Sequence, residues 1–263
     1  MFTDDSMLRR VNRERSVALS GGRALLMQAA HPLAFAGFYA HTDALADPYK
    51  RLERTAQVMY AVYFGERGHA ERLTRRVRSM HTKVRGRLEE AAGPFPAGTP
   101  YAADDPDLLL WVLATLVDSA LVVYSKYVRP LTRAERAAYW SEFKQVGRLF
   151  GLADADMPGT LADFEAYMDG MVNGELMHVT PRARELAIEI ILRPPAPIWA
   201  RGLVEAVNQT TIGLLPTAIR REYGFSWDPA RAVALHGGAE YLRRLVVPWL
   251  PGRVRYLPVD RAA

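Results

Sequence analysis

Residues 108–127, LLLWVLATLVDSALVVYSKY, decide the fold. Wound at the helical period the run is apolar nearly all round, and Asp105-Pro106 ahead of it supplies a cap and a proline at the first helical position. It predicts a buried helix at the centre of a bundle. Its uninterrupted apolar part, Leu108 to Val117, stops at Asp118 and Ser119, short of the ~18 residues that a membrane span needs. A carboxylate on such a helix must be paired if it is buried, and the many arginines make an ion pair the expected role of Asp118.

The same punctuation continues on both sides. Downstream, Thr132 with Glu135 forms a capping box for a helix ending at Gly151, and Thr160 caps another through about Val172. Thr180-Pro181 opens ARELAIEIIL, which Pro194-Pro195 stops. Further helices are expected at roughly 198–214, 216–223 and 229–246, and upstream at roughly 15–30, 33–42, 48–64 and 69–90. Segment 91–104, AAGPFPAGTPYAAD, reads as the one long irregular loop. No sustained polar–apolar alternation and no repeat occurs. The expectation is an all-α bundle of about ten helices, one domain over residues 1–263, with a proline-rich linker at 193–197 before a terminal lobe of that domain.

At 263 residues, 49% hydrophobic and 24% charged, the composition is that of an ordinary globular protein. Its 34 basic residues nearly balance 29 acidic ones, and a formal charge of +5 is too small an excess to mark a nucleic-acid binder, though it suits peripheral contact with an anionic membrane face. The absence of cysteine excludes disulfides, thiolate nucleophiles, thiolate-held metal centres and thioether-attached haem. Any metal must be held by His and carboxylates. The N-terminal MFTDDSMLRRVNRERS lacks the apolar run of a secretory signal, so a cytoplasmic location is expected. No G-x-S-x-G, G-x-G-x-x-G, P-loop or HExxH occurs, which leaves hydrolase, dinucleotide and zincin readings without support.

Three constellations could carry chemistry. In the expected helix 69–90, Leu73, Val77, Met80, Val84 and Leu88 recur at three- and four-residue steps, and His81 lies beside Met80 on that stripe with its imidazole inward. Taken alone, an inward His is a core residue or a ligand. In the helix after Asp47-Pro48, Arg51, Arg54 and Thr55 share one face, a set of donors suited to a carboxylate, a phosphate or a metal-bound oxygen; the bland reading is a solvated first turn with Arg51 paired to Glu53 or Glu66. Finally, Glu66/His69 and Glu175/His178 are E-x-x-H pairs of the kind found in di-iron carboxylate bundles, but each lies beside a helix break.

SGGRALLMQAAHPLAFAGFYAHTD (20–43), DPYKRLERT (47–55), FGERGHAERLTRRVRSMHTKVRG (64–86), DPDLLLWVLATLVDS (105–119), RPLTRAERAAYW (129–140) and LLPTAIRREYGFSW (214–227) together resemble the MpaB-type oxygenase family, whose catalytic domain is shared with the latex clearing proteins, or rubber oxygenases. The resemblance spans most of the chain in the right order. It implies a globin-like helical core, non-covalent haem b, dioxygen as co-substrate and a hydrophobic, isoprenoid-type substrate. It places the axial iron ligand on His81 and the distal polar residues on Arg51, Arg54 and Thr55, with Arg78 and Arg85 as partners for the haem propionates. His31, in Ala30-His31-Pro32, is a second candidate ligand. A motif His that relatives carry within WVHAT stands here as Leu113. A haem-binding or sensing protein without turnover, and a di-iron oxidase, are the alternative readings.

Overall fold

Asp105 Oδ1 accepts hydrogen bonds from the backbone N–H groups of Asp107 and Leu108, at 2.9 and 3.4 Å, and so starts the longest helix of the chain. The computed structural model describes residues 1–39 and 47–258. Its helices in chain order are α1 (Met7–Asn12), α2 (Ser20–Ala29), α3 (Pro32–Tyr39), α4 (Pro48–Phe64), α5 (Arg67–His81), α6 (Pro106–Tyr127), α7 (Arg133–Phe150), α8 (Leu161–Asn173), α9 (Pro181–Ala187), α10 (Arg201–Leu214), α11 (Thr217–Glu222), α12 (Pro229–Tyr241) and α13 (Gly252–Arg255). Among the described residues one two-stranded sheet, β1 (Arg85–Arg87) with β2 (Pro100–Ala102), accompanies them. The fold is all-α.

α6 is the central helix. Trp111, Ala114 and Val117 are fully enclosed, and α1, α2, α7 and α12 pack around it. Among the described residues α6 alone is long and apolar enough to cross a membrane, and 67% of that stretch is buried inside the bundle. The carboxylate on it is paired as expected: Asp118 Oδ2 meets Arg23 Nη2 of α2 at 2.7 Å. Arg23 also donates to Ser119 Oγ (2.7 Å) and Leu214 O (2.7 Å), so a cation only 3% exposed is satisfied on three sides.

Local signals end most helices where they were read. Thr132 and Glu135 close a reciprocal capping box on α7, and Gly151 stops that helix at φ +106°, a conformation that L side chains rarely adopt. Thr160 and Asp163 do the same at the start of α8. Trp140 of α7 stacks on Phe164 of α8 at 4.5 Å and donates Nε1–H to Pro158 O, which locks the two helices together.

The expected helix 69–90 is shorter. It ends at His81, and the chain turns through Thr82–Val84 into β1, which pairs antiparallel with β2 in the register Arg85↔Ala102, Gly86↔Tyr101, Arg87↔Pro100. A Cβ at Gly86 would lie 2.5 Å from Tyr101 Oη, so only glycine admits that ring. The stretch 91–104 is therefore not one irregular loop. The stripe also breaks here, because Met80 is exposed. Residues 40–42 of the helix expected at 33–42 lie outside the described residues. Residues 15–30 divide into a 3₁₀ turn (Arg15–Leu19) and α2.

Candidate functional site

His81 is the last residue of α5, half-buried, and its Nδ1 is sealed from solvent with no hydrogen-bond partner among the described residues. Burial lowers its pKa below the ordinary imidazole value, and the nearby Arg51 cation lowers it further, against a smaller opposing effect of Asp104. The ring is therefore neutral at physiological pH, which is the form that ligates metals. A buried imidazole nitrogen with nothing to bond costs about 1–3 kcal/mol, so this one is a group in want of a partner. The carbonyl or carboxylate that commonly anchors a ligating His is not supplied at Nδ1 by the described residues.

Arg51 comes to this place from α4. Its guanidinium lies 4.0 Å from the centre of the Phe38 ring and donates to Phe38 O at 3.4 Å. Burial lowers its pKa, and neither Glu53 nor Glu66 pairs with it. Arg54 and Thr55 do not join it. Both are exposed, and Thr55 spends its hydroxyl on Arg51 O one turn back, at 3.0 Å. Of the three donors on that helical face, Arg51 is the one placed within electrostatic reach of His81.

The two arginines assigned to propionates are differently placed. Arg85 donates to Thr82 O and pairs with Asp104 at 3.1 Å, which keeps it beside the turn that follows His81. Arg78 is exposed, and its methylenes cover Gly151 at the end of α7. Leu113 is buried against Gly147 and packs in the α6–α7 seam. Two open recesses of about 460 Å³ each lie over the β1–β2 pair and beside Asp118; neither is lined by His81.

His31, between α2 and α3, is only 4% exposed, and burial lowers its pKa to about 4 despite the opposing influence of a backbone hydrogen bond and of Asp105. Its Nδ1 also lacks a partner among the described residues, and its ring leans on Phe95 at 5.5 Å. Phe95 belongs to a tight turn bridged to Ala92, in which Gly93, at φ +57°, lies against His178. His178 N–H in turn donates to Ala30 O at 2.8 Å. Segment 91–104 reads in sequence only as irregular loop, and nothing in it says that it closes over His31.

The E-x-x-H pairs do not assemble. Glu66, the N-cap of α5, and His69 are exposed, Glu175 is exposed, and His178 Nδ1 only approaches Glu222 at 3.8 Å. Among the described residues no group of three or more His, Asp or Glu side chains is arranged to hold a metal ion. A porphyrin iron asks less of a protein, since the macrocycle fills four of its positions and one neutral imidazole suffices. The donor chemistry at His81 fits that group: an uncharged, unpartnered imidazole with a half-buried cation beside it.

No curated protein and no solved structure matches the chain. A family profile described as "ER-bound oxygenase mpaB/B'/Rubber oxygenase, catalytic domain" matches residues 8–246, which take in all of α2 to α12, α1 but for Met7, and every residue of the site. The chain belongs to this family of oxygenase catalytic domains.

Proposed function

We propose that the protein is a haem b-dependent oxygenase that oxidises or cleaves a hydrophobic, isoprenoid-type small molecule with dioxygen. The observation that carries the reading is His81: a neutral imidazole, with a buried nitrogen lacking a partner, beside the arginine that the family motif marks as distal. When bound, an iron porphyrin supplies the redox centre at which dioxygen is activated. His81 would hold that group through its neutral imidazole, and because its pKa is lowered no proton would first have to be displaced from it near neutral pH. Arg51 holds N–H donors and positive charge in a partly water-excluded setting, where they stabilise negative charge that develops during the reaction. Phe38 keeps the guanidinium in place from its other face.

Reconstitution with hemin tests this. The wild-type chain should take up one equivalent and show a strong band near ~400 nm. His81→Ala should lose haem or shift that band, whereas His31→Ala and His178→Ala should retain it. A His81→Ala protein with an unchanged spectrum sinks the assignment. A second reading, a haem-binding protein without turnover, draws support from Arg54 and Thr55, which face solvent where the family motif places distal groups. Oxygen uptake with formation of carbonyl products separates the two.

A further inference from the structure

We propose that the C-terminal face, formed by the start of α10 and by α12 with the segment after it, docks on an anionic lipid membrane. Among the described residues, large apolar side chains more than half exposed are confined to this part of the chain, Met80 excepted. Ile198, Trp199 and Leu203 project from the entry to α10; Tyr241, Leu245 and Trp249 project from α12 and its continuation. Both tryptophans are 82% exposed, which no core requirement explains. α10 and α12 pack against each other, so the two groups belong to neighbouring helices.

Charge is distributed to match. Residues 193–258 contain nine arginines and four acidic residues, a net +5 that equals the formal charge of the whole chain, so the remainder is neutral. Some of these arginines are engaged: Arg231 with Asp228, Arg243 and Arg244 with Glu240, Arg255 with Glu14. Arg193, Arg201 and Arg253 are exposed and make no ion pair among the described residues. Along the chain they flank the tryptophans, Arg193 and Arg201 on either side of Trp199 and Arg253 four residues after Trp249.

Exposed indole rings beside aliphatic side chains and free guanidiniums are the chemistry of the membrane interface, where tryptophan sits at headgroup level and arginine meets lipid phosphate. A second copy of the chain suits the face less well, since a two-fold pairing brings the same positive charge against itself. Nucleic acid could stack on the aromatic rings but has no use for the exposed aliphatic Ile198, Leu203 and Leu245 beside them. The inference stands independently of the haem reading, and its failure would leave that reading untouched.

Sedimentation of the full chain with vesicles of phosphatidylcholine containing about one-third phosphatidylglycerol tests the proposal, with pure phosphatidylcholine vesicles alongside. The protein should partition to the anionic vesicles only, its tryptophan emission should shift to the blue, and salt should weaken binding. Arg201→Gln and Arg253→Gln should each lower partitioning about fivefold. Trp199→Ala with Trp249→Ala should abolish the emission shift and reduce partitioning at least tenfold, with unfolding unchanged because both rings lie outside the core. Equal binding to both vesicle types, undiminished binding by the double variant, or a dimer in solution that shields both tryptophans from quencher would overturn it.

Discussion

Replacing His31 by Phe should remove much of the acid sensitivity of the fold. Folding buries His31 and lowers its pKa from the ordinary 6.5 to about 4. Between those values the unfolded chain binds a proton that the folded chain refuses, so the native state loses stability as pH falls from above 6.5 through 4, and is unaffected by this group above that window. At about 1.4 kcal/mol per pH unit the loss attributable to His31 is about 3 kcal/mol between about pH 7.5 and about pH 4. His31→Phe keeps a ring of similar shape against Phe95 and cannot titrate. Urea unfolding at both pH values, on wild type and variant, isolates the effect, because carboxylate contributions are common to both and cancel. The wild type should lose about 3 kcal/mol more than the variant over the interval. Equal losses would refute the reasoning and show that His31 protonates in the native state as readily as in the unfolded chain.

Three further outcomes are expected. Asp118→Ala leaves the Arg23 cation, 4% exposed at its side chain, without its counter-ion and should destabilise by about 2–3 kcal/mol in urea, towards the low end of such losses because Ser119 and Leu214 still accept from it; Arg23→Met with Asp118→Leu should restore most of that, and a double variant no better than the single would contradict the argument. Arg51→Gln should raise the pKa of His81 while leaving it below the ordinary value, because burial is the larger cause; an imidazole titration by NMR reads this directly, and an unmoved midpoint would separate the two residues. Gly151→Ala must either hold φ +106° or bend the end of α7 and press on Arg78, so its melting temperature should fall by an amount corresponding to about 1–2 kcal/mol, and a variant as stable as wild type would deny that strain.

Where a helix starts or stops through side chains a few positions away, the reading along the chain was sufficient. Thr132 with Glu135, the Thr160 cap, the Asp105-Pro106 start and Gly151 all act within one turn, and each stands where its local chemistry put it. The end of α5 was not legible in that way. The stripe through Val84 and Leu88 continues the helical period, but Gly86 and the Tyr101 ring, distant in sequence, draw the chain into a strand pair instead. Likewise, Arg51, Arg54 and Thr55 share a helical face by spacing, yet spacing cannot say how much of that face is covered. Phe38, from another helix, decides that Arg51 is held while its two neighbours remain in water.

From the sequence alone came the helical class, most of the helix limits, the pairing demanded by Asp118, the family and the short list of histidines, since these rest on periodicity, capping and motif order over short spans of chain. Tertiary structure alone decided the lowered pKa of His31 and of His81, the company that His81 keeps, and the exposure of Trp199 and Trp249. Those properties are sums over neighbours brought together from remote parts of the chain, and desolvation, charge proximity and exposure have no value until the packing exists.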